Sequence, residues 1–140
     1  MNMPYTLIQA DEARLGLIVL QTDESLERDL RQLIPATVNL LVSRVPSGDE
    51  VTEETLGQMA RDLPASAALL PQMQRYAAIG YGCTSGAAVI GPARVADLVG
   101  AAAPTDHVTN PLTALCDGPE QMLAHYARIE AQRATLDYDI

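Results

Sequence analysis

The chain alternates short, continuous apolar runs with segments whose apolar residues recur at helical spacing. The continuous apolar run over 14–20 has strand length and is typical of a strand covered on both faces of a sheet. The second and third strands are predicted over 37–45 and 76–82. A fourth, shorter strand is predicted over 106–109. The resulting order, β-α-β-α-β-α-β-α, predicts an α/β fold. We expect an open parallel sheet of about four strands, with right-handed crossovers and helices on both faces.

Helical segments fill the gaps between these strands and follow the last one. Their apolar residues lie three and four positions apart, and proline or glycine marks their ends. The first predicted helix is 26–34, ended by Pro35, and the second starts at Thr52, with a short continuation over 65–70 after Pro64. The third is 85–99, with a kink or restart at Gly91-Pro92. Another helix starts at Asn110, and a charged helical tail follows beyond Gly118.

Composition narrows the class of protein. The chain has 140 residues, 48% of them apolar, and no Phe or Trp, so Ala, Val, Leu and Ile must form the core of a single domain. The net charge of −9 disfavours binding to nucleic acids or to anionic membrane surfaces. No apolar run reaches the length of a spanning helix, no signal peptide is evident, and two cysteines are too few for a disulfide scaffold. We therefore expect a cytoplasmic protein that binds a small molecule.

The chemistry concentrates where the third strand becomes a helix, at Gly82-Cys83-Thr84-Ser85-Gly86. Ligands of open α/β sheets bind outside the carboxyl ends of the strands. A thiol at a helix N-terminus can be held as thiolate, and the N–H groups of Thr84, Ser85 and Gly86 are expected to be free for a carboxylate or an oxyanion. The residues alone support two interpretations equally: a nucleophilic or proton-carrying Cys83, and a buried structural cysteine.

Three other segments follow predicted strands: 21–25, 46–49 and 109–110. Within them, Asp23, Thr109 and Asn110 are candidate substrate contacts, with helix capping as the alternative for each. No P-loop, complete dinucleotide-binding motif or metal-ligand cluster is present, so no cofactor or metal is expected. Cys116 lies on an apolar helical face and is interpreted as a core residue.

The stretch 80–91, Gly-Tyr-Gly-Cys-Thr-Ser-Gly-Ala-Ala-Val-Ile-Gly, resembles the Asp/Glu racemase superfamily. It is most similar to the branch that holds maleate isomerases, arylmalonate decarboxylases and ectoine-utilisation EutA-like proteins. The stretches 15–27 and 41–46 look closest to the EutA-like members. The resemblance covers roughly residues 13–116.

This resemblance implies two flavodoxin-like lobes, each with one cysteine and neither with a cofactor. Cys83 matches the cysteine of the first lobe, which in maleate isomerases is thought to add to the substrate double bond. Thr84 and Ser85, beside Gly82, match the turn that holds a substrate carboxylate. Asp23 stands where maleate isomerases carry Asn, which disfavours maleate itself.

Because the resemblance ends near residue 116, we expect a racemase-like lobe, 1–116, followed by a helical tail, 117–140. The second lobe and its cysteine have no counterpart in these 140 residues. We therefore expect a cysteine-based isomerase or racemase-like lobe for a small carboxylic acid, maleate-like or amino-acid-like, with weak or no turnover alone. A homo-oligomer that faces two Cys83 turns would restore two thiols. The alternative is a non-catalytic domain for carboxylate binding or assembly.

Overall fold

The structure is a computed structural model that describes residues 13–48 and 50–116. The predicted tail, 117–140, and residues 1–12 lie outside the described residues. No helix within the described ranges is long and apolar enough to cross a membrane.

A four-stranded, all-parallel sheet forms the centre of the molecule. The strands are β1 (Arg14–Leu20), β2 (Asn39–Val45), β3 (Ala78–Tyr81) and β4 (Val108–Thr109). They stand in the order β2-β1-β3-β4, the flavodoxin-like arrangement, so the predicted fold class is confirmed. In the middle of β1, Leu17 pairs with Val42 on one side and Gly80 on the other.

The helices cover both faces of this sheet unequally. One helix packs on the first face, against Leu17 and Val19, and three pack on the other, against Ile18 and Ile79. Adjacent β1 residues thus enter different cores, which explains the continuous apolar run in that strand. The helices are α1 (Leu26–Leu33), α2 (Glu53–Ala68), α3 (Thr84–Ile90) and α4 (Pro92–Ala102), and residues 111–116 are also helical.

The second helix, α2, differs from its prediction because it continues through Pro64 without a break. Its start is secured by a capping box in which Thr52 and Thr55 exchange side-chain and backbone hydrogen bonds. Pro64 removes one backbone donor, but its neighbours Leu63 and Ala67 are fully buried against the sheet. This burial holds the helix together where local propensity predicted a break.

The predicted restart at Gly91-Pro92 is confirmed. Gly91 has a φ of 91°, and its N–H donates to the carbonyl of Ala87 at the end of α3. Pro92 then opens α4 at its first position. Only glycine reaches this positive φ without strain, so the reversal between the two helices depends on Gly91.

Burial of α2 generates a stability prediction. We expect Leu63→Ala to lower the free energy of unfolding by about 2–5 kcal/mol, because the fully buried side chain leaves a cavity beneath the sheet. Leu69→Ala is the matched control, since Leu69 is 77% exposed one residue beyond α2, and it should change stability by less than about 0.5 kcal/mol. Urea denaturation measures both. Similar losses for the two variants would contradict this packing.

Candidate active site

Cys83 lies at the junction of β3 and α3, at the carboxyl edge of the sheet. The β3 strand is held in register up to this point by the Gly82 N–H, which donates to the Ile18 carbonyl at 2.8 Å. Cys83 then caps α3: its Sγ accepts the Gly86 N–H at 3.2 Å, and its carbonyl accepts the Ala87 N–H at 2.9 Å. The backbone therefore fixes the position of the sulfur.

The exposure of this turn changes sharply from one residue to the next. Cys83 is 5% exposed, whereas Thr84 and Ser85 are exposed. The Ser85 Oγ lies 3.8 Å from the Cys83 Sγ. The expectation of three free N–H groups is wrong for Gly86, whose N–H is bound to the sulfur. Among the described residues, the N–H groups of Thr84 and Ser85 have no partner.

A cleft of about 350 Å³ opens beside Cys83. It lies between the ends of β1 and β2, the first turns of α2 and the Cys83 turn. Hydroxyl groups are frequent in its walls, and the Thr22 and Ser47 hydroxyls lie 3.4 Å apart. The lining residues are Leu20, Thr22, Ser47, Gly48, Glu50, Val51, Thr55, Leu56, Met59, Cys83 and Ser85.

Tyr81 packs behind the Cys83 sulfur, inside the core. It is 1% exposed, and its hydroxyl donates to the Met59 Sδ at 3.6 Å. Burial raises the pKa of Tyr81 far above its ordinary value, and the adjacent Cys83 side chain raises it further. The hydroxyl therefore keeps its proton well above neutral pH and remains the donor to the Met59 Sδ.

The glycines of the turn make room for the protein's own side chains. A Cβ on Gly82 would collide with the Leu26 side chain of α1. A Cβ on Gly86 would collide with the Tyr81 hydroxyl and would lie 2.9 Å from the Cys83 Sγ. Both glycines thus leave space that neighbouring side chains of the protein occupy.

Asp23 stands at the end of β1 but is not among the residues that line the cleft. Its carboxylate accepts the Leu26 N–H at 3.0 Å, which caps the start of α1. Its carbonyl accepts a hydrogen bond from Arg44 at 2.7 Å. Substrate contact by Asp23 stays a prediction, while its capping bond is seen directly.

Thr109 and Asn110 lie at the end of β4, also outside the cleft lining. Asn110 is 3% exposed, and its side-chain oxygen accepts the N–H groups of Leu112 and Thr113 at 3.1 and 3.3 Å. The Thr109 hydroxyl lies 3.1 Å from that of Thr113. The structure therefore brings Cys83 and Ser85 together at the cleft. Thr109 and Asn110 instead make hydrogen bonds at the start of the helix that follows β4.

Sequence reasoning missed several residues of the cleft, most clearly Ser47, Glu50 and Thr55. The loop 46–49 after the second strand is a candidate segment, but no residue in it carries a recognisable motif. For the start of α2, the sequence predicts only that a helix begins at Thr52. Within residues 13–48 and 50–116, no group of three or more His, Cys, Asp or Glu side chains is arranged to hold a metal ion.

Comparison with known proteins supports the fold and leaves the function to be proposed. No family model matches the chain. A maleate isomerase from Pseudomonas putida superposes with a TM-score of 0.56 and 24% identity, over 76% of this chain and 48% of that one. The chain thus spans about half of that structure. At this identity, the likeness establishes the fold.

The curated relatives match only locally. A 32-residue segment is 72% identical to the DNA ligase of Cereibacter sphaeroides, which is 23% of this chain and 4% of the ligase. The DNA ligase of Roseobacter denitrificans is 66% identical over the same length, with the same coverage. The chain therefore matches a very small part of each ligase, and this likeness does not extend to a domain.

The raised pKa of Tyr81 predicts how stability changes at high pH. The folded state keeps this proton at pH values where the unfolded chain, with a pKa near 10, releases it. Stability is therefore fully present below about pH 10 and falls as the pH rises further. We expect Tyr81→Phe to weaken this fall. Urea denaturation between pH 8 and pH 11 tests it, and a wild-type-to-variant difference that stays constant over this range would contradict it.

The packing of Gly86 generates a second prediction. We expect Gly86→Ala to destabilise the protein by about 1–3 kcal/mol, because the added methyl group displaces the Tyr81 hydroxyl or the Cys83 sulfur. Gly57→Ala is the control: Gly57 lies inside α2 with open space around it, so alanine should stabilise by about 0.5–1 kcal/mol. Thermal unfolding measures both. Opposite signs are expected, and equal shifts would refute the packing argument.

Proposed function

We propose that this chain is a lobe of a cofactor-independent cysteine enzyme that acts on a small carboxylic acid. The observation that carries the proposal is the position of the Cys83 sulfur. It is fixed by the backbone at the carboxyl end of β3 and borders a hydroxyl-lined cleft. That edge of a parallel sheet is where α/β proteins bind ligands.

The fold shared with a maleate isomerase supports an isomerase-like activity. Together with the Gly-Cys-Thr-Ser-Gly turn, it leads us to infer membership of the Asp/Glu racemase superfamily, with the EutA-like branch as the nearest group. The whole activity of that isomerase belongs to a chain of which this one covers 48%, so this lobe is proposed to supply one half of a site.

In the proposed site, the exposed turn beside Cys83 holds the substrate carboxylate. The N–H groups of Thr84 and Ser85 and the Ser85 hydroxyl are the donors, and Gly82 shapes the turn that presents them. The hydroxyls of Thr22 and Ser47 face the same cleft. We assign Asp23, Thr109 and Asn110 to the support of the surrounding loops, because their side-chain oxygens already accept or share hydrogen bonds within the protein.

Two reactions suit a thiolate at this position. In proton transfer, the sulfur takes the proton from the carbon next to the carboxylate, the electron pair of the C–H bond moves into the carboxylate, and the thiol later returns a proton to that carbon. In isomerisation, the sulfur adds to one carbon of a double bond and the π pair moves to the other. Rotation about the resulting single bond precedes loss of the sulfur.

A single thiol limits what the chain does alone. A proton taken and returned by the same sulfur comes back to the same face of the carbon. We therefore expect hydrogen exchange at that carbon to be faster than inversion of configuration. A homodimer in which the two clefts face each other would supply the second thiol. Inversion of configuration would then become about as fast as hydrogen exchange.

This expectation is tested with L-alanine and maleate in deuterated buffer, followed by proton NMR and chiral analysis. Deuterium should enter the α-carbon of alanine, and Cys83→Ala should slow that exchange by about a hundredfold or more. The interpretation of Cys116 as a core residue is wrong, since its side chain is exposed. Cys116→Ala is the matched control, because Cys116 is also distant in sequence from the cleft residues. Equal rates for Cys83→Ala and wild type, with either acid, would remove Cys83 from the reaction.

A second candidate function is a non-catalytic domain for small-carboxylate binding. It is favoured by the burial of Cys83 and by the bond from the Gly86 N–H, since both suit a structural thiol. Alkylation with iodoacetamide separates the two, with Cys116 in the same chain as the exposed reference thiol. A Cys83 that reacts more slowly than Cys116, in a protein that still binds acids, would favour the binding domain.

A further inference from the structure

The charge of the cleft limits the kind of acid that fits it. Glu50 is the charged residue among the described residues that line it. Its backbone carbonyl accepts the Thr55 hydroxyl at 2.7 Å, which ties Glu50 to the first turn of α2. The other lining residues are hydroxyl-bearing or apolar, apart from Gly48 and Cys83.

The cations of the described residues lie elsewhere. The sequence has nine arginines and no lysine. Arg44 stands just before the lining loop that follows β2, but its guanidinium donates to the carbonyls of Leu20 and Asp23 and contacts the Glu27 carboxylate. None of the arginines within residues 13–48 and 50–116 borders the cleft; they are Arg14, Arg28, Arg31, Arg44, Arg61, Arg75 and Arg94.

The placement of these charged residues distinguishes acids with one carboxylate from acids with two. One carboxylate is accommodated by the N–H groups and hydroxyls of the Cys83 turn without any cation. A second carboxylate in the same cleft would lie near the negatively charged Glu50, with no arginine of the described ranges among the lining residues, and like charges repel. An ammonium group in the place of that second carboxylate would be attracted by Glu50.

We propose that the cleft selects acids that carry one carboxylate and a cationic group, as amino acids do, and that Glu50 determines this specificity. The inference rests on the proposed function, because it places the carboxylate at the Cys83 turn. It narrows the substrate from small carboxylic acids in general to zwitterionic ones, and it disfavours dicarboxylates such as maleate.

The test uses two probes of the same length that differ at one end. Succinate carries two carboxylates, and 4-aminobutanoate carries one carboxylate and one ammonium group. Each is titrated into the ¹⁵N-labelled full chain, and the amide shifts of Thr22, Ser47 and Ser85 report binding in the cleft. We expect 4-aminobutanoate to bind about tenfold more tightly, the size expected for a partly screened charge contact.

Two variants with the same change of net charge locate the effect. Glu50→Gln should bring the two affinities to within about twofold. Glu54→Gln is the control, since Glu54 is exposed in the first turn of α2 but does not line the cleft, and it should leave the tenfold preference intact. An equal or opposite preference in the wild type overturns the proposal. So does the same response in both variants, or the absence of shifts in the cleft with either acid.

The result separates this proposal from the proposed function. The titration needs no turnover, so a Cys83→Ala protein that keeps the preference supports charge selection even if Cys83 proves inert. Conversely, Cys83-dependent turnover of a dicarboxylate, together with tight succinate binding, would uphold the thiol chemistry and overturn the role of Glu50.

Discussion

The parallel pairing of β1 with both β2 and β3 is the constraint on which the rest of the structure depends. It directs the carboxyl ends of three strands to one edge, so the loops after them meet around a single cleft. The pairing is secured because β1 is buried on both faces, with Leu17 and Val19 in one core and Ile18 in the other. A shift of one residue along the strand would reverse these faces and separate the loops.

The Cys83 turn is built from the inside outward. Tyr81 fills the core behind the sulfur, and Gly86 leaves the space that its hydroxyl occupies. The sulfur takes the place of a capping oxygen by accepting the Gly86 N–H. The same contacts that make Cys83 a structural cap also hold its sulfur at the cleft, so the structural and chemical interpretations of this residue are compatible.

The polar residues in and near the cleft differ in whether their hydrogen-bonding groups remain free to bind a ligand. Asp23 and Asn110 use their side-chain oxygens to cap helices, which stabilises the loops that carry them. Ser85 lines the cleft and is exposed, and the neighbouring Thr84 is exposed but is not a lining residue. Glu50 adds a negative charge to the lining, so the cleft combines donors for one carboxylate with repulsion of a second.

The sequence by itself determined the order of strands and helices, the parallel sheet and the location of Cys83 at a strand–helix junction, because apolar period and turn residues are local signals. Tertiary structure alone decided that α2 continues through Pro64, since burial of Leu63 and Ala67 overrides local propensity. It also decided that Glu50 and Thr55 join Cys83 in one cleft. Glu50 and Thr55 each lie about thirty positions from Cys83 in the sequence and share no motif with it. Only the packing of α2 beside α3 brings these residues together.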